Sequence, residues 1–363
     1  MCIDHKQQGK RIMSNSTFTR RELIALGGMA AALGITGLPK GASAQEKGRI
    51  VASILGGDYA ELLRRIVDER VMIPAGYEVL QDISTTEARQ TKLRTERTRR
   101  ESSFDVGLLA DLDMYPMAQI GVLEDLDESK VPNIANVIPA LRKPYAVPQL
   151  FSYIAIVYNP AKITTPPTSY NDLWNPEYKG KVGISDVLYV ATSAAASLAA
   201  GGSMSDYTPG REKLLALKNE QQVKILPTNE SIAAAFQSEE IWITLNYVAR
   251  GFGWRKAGLN LDWAIPQEGA IPVTFEFAVP KNAPNKEGAY AYLNAALEPD
   301  SQLGFLDSIG YLPSVTNAVL PPEIAAQVQL TPEQQANMKP IDNAYFTANQ
   351  ADIFDFWTRE FKG

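Results

Sequence analysis

Three carboxylates stand where predicted strands give way to turns. Asp58 follows a strand expected at residues 49–55, Asp111 follows 104–110, and Asp186 follows 182–185. A fourth, Glu276, lies within the strand expected at 273–279. A pair of such groups flanking a sugar ring is the machinery of glycoside hydrolysis. Asn246, Tyr247 and Arg250 follow another strand, at 241–245. A guanidinium placed there can hold a carboxylate or phosphonate through two parallel hydrogen bonds. Phe151 and Tyr153, two residues apart on an extended segment, share one strand face. Tyr59, beside Asp58, has the character of an aromatic wall. Each group also has a purely structural role open to it. Asp58 and Asp186 suit helix N-caps, Phe151 and Tyr153 suit a core, Arg250 suits solvent, and Asp113 reads as a solvated turn residue.

What the chain lacks narrows the chemistry further. Its one cysteine is Cys2 and its one histidine is His5. Both precede Thr19-Arg20-Arg21-Glu22-Leu23-Ile24, a twin-arginine pattern that opens an apolar stretch over residues 23–38. Lys40 ends the stretch, and Ala42-Ser43-Ala44 supplies the small residues of a signal-peptidase site. The stretch is too short and glycine-rich for a membrane span. Residues 1–44 are therefore expected to be an export signal, translated from Met1 or Met13, and the mature chain to start at Gln45 in the periplasm. Removal of the leader takes every thiol and imidazole with it. Thiol nucleophiles, Ser-His-Asp triads and Cys or His zinc sites are then excluded, and no cofactor or metal is expected. Six of the 35 basic and two of the 41 acidic side chains lie in the leader, so the mature net charge is −10. That balance argues against nucleic acid and anionic membrane surfaces as partners, and a monomer is expected.

The elements that must position these groups alternate between strand and helix. Strands at 49–55, 77–83 and 104–110 are separated by helices at 59–71 and 84–100, the second opened by a Ser84-Thr85-Thr86-Glu87 capping box. Such alternation predicts α/β architecture with parallel sheets, which bind ligands at the carboxyl ends of their strands. A second α/β unit is expected from Phe151 to about Gly269. The length favours two domains over one.

Several segments, in order along the mature chain, resemble one family. They are Asp125-Leu126-Asp127-Glu128-Ser129-Lys130-Val131-Pro132-Asn133, Tyr145-Ala146-Val147-Pro148 with Val157-Tyr158-Asn159, and residues 168–182 around Asn171-Asp172-Leu173-Trp174-Asn175-Pro176. Ile265-Pro266-Gln267-Glu268-Gly269 and Gly310-Tyr311-Leu312-Pro313 complete the set. Together they resemble substrate-binding proteins of bacterial ABC importers, of the spermidine/putrescine type. The resemblance implies a two-lobed type II periplasmic binding fold, each lobe a mostly parallel sheet flanked by helices, with hinge strands and a closing cleft. Lobe 1 would comprise 45–150 plus 271–312, and lobe 2 would comprise 151–270 plus 313–363. The hinges would lie at 149–153, at 270–275 and near Leu312. The function implied is that of a receptor, not an enzyme, which hands a small solute to permease subunits in the inner membrane.

The family pattern also assigns positions. It puts ligand contacts at the first turn (Asp58, Tyr59), the second cleft loop (Asp111), an aromatic near Phe151, a carboxylate near Asp186 and a tyrosine at Tyr311. Polyamine binders carry Trp and Asp where this chain has Val273 and Phe275, which speaks against a polyamine. Glu276, one residue on, is sent by the pleat to the opposite face unless a bulge turns it. The expected ligand-binding set is Asp58, Tyr59, Asp111, Phe151, Tyr153, Asp186, Asn246, Tyr247, Arg250, Phe275, Glu276 and Tyr311. The expected ligand is a small amine- or amino-acid-like solute that can carry an anionic group. The alternatives are an exported carboxylate-dependent hydrolase, or a polyamine- or iron-binding receptor of the same fold.

Overall fold

The computed structural model describes residues 47–363, so the expected leader, with Cys2, His5 and the paired arginines, lies outside the described residues. Nine strands form one sheet: β1 (Arg49–Ile54), β2 (Glu78–Ile83), β3 (Val106–Ala110), β4 (Val147–Tyr158), β5 (Val182–Ser185), β6 (Lys224–Leu226), β7 (Ile243–Tyr247), β8 (Asp262–Ala264) and β9 (Ile271–Ala278). The order is β2-β1-β3-β9-β4-β7-β5-β6, with β8 paired to β4. β1 runs parallel to β2 and β3, and β5 runs parallel to β6 and β7. These are two parallel wings. β3 and β5 are short apolar runs buried along their length, as strands covered on both faces must be.

The antiparallel pair β4 and β9 joins the wings. β4 is buried at all twelve of its positions. Its first part pairs with β9 from Val147 to Ile154, and its last part pairs with β7 and β8. The β4–β9 register slips at Gln149, where β4 carries one extra residue between Pro148↔Glu276 and Leu150↔Phe275. Such a bulge bends its strand and re-aims the extra side chain. At Phe151 the backbone carbonyl accepts from Leu312 N at 2.8 Å, so the chain also crosses here a third time.

Helices α1 (Asp58–Leu63), α2 (Thr86–Glu96) and α3 (Asp111–Gln119) follow β1, β2 and β3. α4 (Tyr189–Ala199) follows β5, α5 (Thr208–Asn219) leads into β6, α6 (Asn229–Gln237) follows it, and α7 (Val248–Lys256) follows β7. After β9 come α8 (Lys286–Ala296), α9 (Pro299–Ile309), α10 (Pro322–Val328), α11 (Pro332–Ala336) and α12 (Asn343–Asp355). Tyr292 and Leu293 of α8 join a core with Ile50, Leu108 and Phe277. Phe346 of α12 and Trp357 join a second core with Ile184 and Ile243. The C-terminal segment therefore packs on both wings.

Three local expectations are corrected. Gly57, at φ 68°, takes the N-cap position that was expected of Asp58. Only glycine adopts that backbone without strain, so the helix starts one residue early and Asp58 makes no cap. The helix after β2 has no capping box: Thr85 caps it alone, through Ala88 N. It stops at Glu96 rather than near residue 100, because the Glu96 carboxylate turns back to accept from Ser103 N at 2.8 Å.

α9 ends at Gly310, in the left-handed region at φ 75°. A Cβ there would sit 2.8 Å from the Ala249 carbonyl oxygen of α7. We expect Gly310→Ala to lower unfolding free energy by about 1–3 kcal/mol, from backbone strain plus that contact. Urea titration reads the loss, and an unchanged midpoint would show that the close approach is not needed.

Candidate functional site

β3 and its successor α3 deliver two carboxylates to a cavity of about 250 Å³. Asp111 and Asp113 line it from the first wing, both within the first turn of α3. Val187 and Leu188, in the turn after β5, and residues 189–191, in the first turn of α4, line it from the second wing. Tyr247 closes it from the end of β7, and Ile271, Val273 and Phe275 from β9. Ile341, Phe346 and Gln350 complete the wall from the last segment of the chain. Among the described residues, no lysine or arginine lines it. The cavity is small by the standard of ligand pockets, roughly 300–1,000 Å³, and fits a metabolite rather than a peptide or oligosaccharide.

Burial pushes the Asp111 carboxyl up to about 7. Lys143 opposes this shift and Glu276 adds to it. Yet the ammonium of Lys143 is engaged by Glu276, with Nζ 2.5 Å from Oε1. Asp113 is also raised, chiefly by burial, against a hydrogen bond from Gln90 Nε2 at 2.8 Å. The Asp113 expectation is thus corrected: the first turn of α3 faces the cavity, and the residue is half-buried rather than solvated.

An aromatic shelf lies beside the acids. Tyr311 packs edge-on against Phe275, with ring centroids 5.9 Å apart. Tyr59 donates its hydroxyl to Gln149 Oε1 at 2.9 Å, so the bulge on β4 holds the first loop. Burial raises the Tyr59, Tyr247 and Tyr311 hydroxyls, which stay protonated donors.

One buried cation ties the first-wing loops together. Arg89 of α2 is 1% exposed. Its guanidinium donates to Leu108 O (2.6 Å), Ile54 O (3.0 Å) and Ser84 O. These carbonyls lie in the middle of β3, at the end of β1 and just after β2, so one planar fork ties the three strands together behind the loops that lead to Tyr59 and Asp111. Lysine cannot reproduce that geometry.

The structure brings Asp111, Tyr247 and Phe275 to the cavity, and sets Tyr311 and Tyr59 beside that shelf. It does not bring the others. Asp58 is exposed and lines a surface hollow with Arg64 and Arg65. Phe151 lines a separate apolar cavity of about 180 Å³ with Leu312, Leu320 and Met338. Tyr153 is buried and donates to Val328 O at 2.9 Å. Asp186 is held by Trp357 Nε1 (2.7 Å) and Lys362 Nζ (2.6 Å), which meet its charge from within the chain, and it does not line the cavity. Asn246 is buried in a bond from its Nδ2 to Asn229 Oδ1 at 2.9 Å. Arg250 is largely exposed and lies 3.7 Å from Glu230. Glu276 points away from the cavity, as the pleat demands, into Thr274 and Lys143.

Sequence reasoning missed Tyr189, Gln350 and Lys143. Tyr189 follows a predicted strand end and was within reach of that rule. Gln350 and Lys143 reach the site through long-range packing, for which no local signal exists.

Arg89→Met should cost about 3 kcal/mol or more, because it removes the guanidinium bonds to Leu108 O and Ser84 O and leaves Ile54 O with Ser84 N alone. Arg89→Lys should recover only part of the loss. Urea unfolding of both variants measures it; full recovery by lysine would refute the fork as the organiser.

Comparison with known proteins agrees with this architecture. A family model described as "Bacterial extracellular solute-binding protein" matches residues 76–332. The spermidine/putrescine-binding periplasmic protein of Escherichia coli (strain K12) is 29% identical over 268 residues, covering 69% of this chain and 76% of that protein. A gamma-aminobutyric acid-binding protein of Pseudomonas aeruginosa is 22% identical over 284 residues, covering 70% of this chain and 76% of that protein. Among solved structures, an ABC transporter protein from Clostridium perfringens superposes with TM-score 0.75 at 24% identity, covering 85% of this chain and 99% of that one. The fold is the two-lobed α/β fold of periplasmic binding proteins, and the relatives are receptors rather than enzymes, which removes the hydrolase alternative.

Proposed function

We propose a short solute with a single ammonium head as the ligand of this chain, which belongs to the bacterial extracellular solute-binding protein family. The protein is a solute-binding receptor of an ABC importer. Its partners are a small molecule and the permease subunits, and its place of work is extracytoplasmic. The paired arginines and the Ala42-Ser43-Ala44 site support a periplasmic address reached by the twin-arginine route. We read it as a monomer.

The observation that carries the ligand class is the Asp111 carboxylate. It faces a small, partly apolar cavity whose walls, among the described residues, hold no cation. A carboxylate removed from water is stabilised by a cation that hydrogen-bonds to it. A diamine needs such a group at each end. Here both lining acids come from one turn of α3, while Asp186 and Glu276 are neutralised by Lys362 and Lys143. The wall from the second wing is instead the start of α4, where the positive end of the helix dipole suits an acceptor or anionic end. An ω-amino acid fits this polarity: ammonium toward Asp111, carboxylate toward α4, methylenes against Phe275 and Val273. The names of relatives that bind gamma-aminobutyric acid or putrescine support an amine of this size.

Calorimetry with γ-aminobutyrate, putrescine and succinate tests the reading. The amino acid should bind and succinate should not. Asp111→Asn should weaken amine binding by roughly 10- to 100-fold, the loss of one charge-assisted hydrogen bond. Equal affinity in the variant would refute the assignment.

A pH dependence follows from the carboxyl at about 7. Without ligand, the folded chain keeps a proton on Asp111 that the unfolded chain has already lost. Folding stability should therefore fall as pH rises from about 4 through 7. An ammonium ligand needs the ionised acid. Capture at pH 6 should release a proton, and affinity should climb between pH 5 and 7 and then level. Titrations in buffers of different ionisation enthalpy read the proton directly.

A further inference from the structure

Lys143 lies just before β4, behind the acid end of the cavity, and neither it nor Glu276 forms part of the lining. The Lys143 side chain is 21% exposed, against 1% for Glu276. Its Nζ is 2.5 Å from Glu276 Oε1, which also accepts from Thr274 Oγ1 at 2.8 Å. The other oxygen, Glu276 Oε2, is buried without a hydrogen-bond partner among the described residues. The β3–β9 register sets Leu109 against Glu276 and Ala110 against Phe275. Asp111, the next residue, therefore comes within two residues of Glu276 across the ladder. Two carboxylates and one ammonium share this end of the site. Burial alone would favour neutral Lys143, but Glu276 and Asp111 outweigh it and keep the amine charged.

We propose that Lys143 is a specificity-determining residue, a tethered ammonium that satisfies Glu276 and leaves Asp111 to accept one ammonium from the ligand. The assignment rests on the amine reading above. With Lys143 in place the three groups sum to one negative charge, which a monoamine neutralises. Without it they sum to two, with a buried carboxylate oxygen already unpaired, and a second ligand ammonium would be the fitting counter-ion. Lys143→Ala also frees the volume of a four-carbon stem next to Glu276.

The test is calorimetric titration of the purified chain with putrescine and γ-aminobutyrate, for wild type, Lys143→Ala, Glu276→Gln and the double variant. The ratio of putrescine to γ-aminobutyrate affinity should rise roughly tenfold or more in Lys143→Ala. The double variant, which removes both charges together, should return to within about threefold of wild type. An unchanged ratio in folded Lys143→Ala overturns the assignment. If that variant does not fold, Glu276→Gln decides: the surplus charge on Lys143 should weaken both amines about tenfold, and unchanged affinities overturn the assignment. Wild-type protein that binds neither amine removes the amine reading and this assignment with it. An unchanged ratio on a wild type that does bind removes the assignment alone.

Discussion

β4 and β9 form the antiparallel pair on which the rest of the molecule depends. Each parallel wing is closed on one side by one of these strands, so neither wing is independent of the pair. The twelve buried positions of β4 leave it no solvent-facing side. A strand in that setting has to satisfy all of its backbone groups internally, and β4 does so with β9, β7, β8 and the crossing at Leu312. The one residue that breaks register, Gln149, turns the break to use. Its side chain holds Tyr59, and its carbonyl accepts from Gln302 Nε2 of α9 at 3.0 Å. The joint between the wings and the first loop of the site are the same piece of backbone.

Charge removed from water is the second theme. The acids predicted at strand ends separate by whether a cation reaches them. Asp186 has Lys362 and Glu276 has Lys143, and both are structural. Asp111 has neither and faces the cavity. Arg89 is the converse case, a buried cation whose hydrogen bonds go mainly to backbone carbonyls of the first wing. It organises those strands through its hydrogen bonds, while its charge eases the ionisation of Asp113 and Asp82 nearby. A receptor needs at least one unsatisfied charge to recognise a charged solute. The fold supplies one at Asp111, which has no salt-bridge partner among the described residues and faces the cavity.

The sequence made the strands legible because their apolar runs are short, bounded by glycine or acid, and spaced by helices. Val182–Ser185 was read to the residue, and β1, β7 and β9 to within two residues at either end. The site was legible only where a strand end points into it. Asp111, Tyr247 and Phe275 follow that rule. Asp186 follows it too and is nevertheless bound by Trp357 and Lys362, residues 171 and 176 positions away. Pattern reading cannot see such a partner, since nothing near Asp186 signals it. Phe151 and Tyr153 do share one face, but later chain segments cover that face: Tyr153 bonds to Val328 O and Phe151 lines a cavity with Leu312.

The segment after β9 separates two properties of the cavity. Ile341, Phe346 and Gln350 wall it, and Lys362 holds the strand end beside it. The acids Asp111 and Asp113 come from α3, whereas this wall comes from residues outside the sheet. Charge and enclosure are thus supplied by separate parts of the chain, and a change in one need not alter the other.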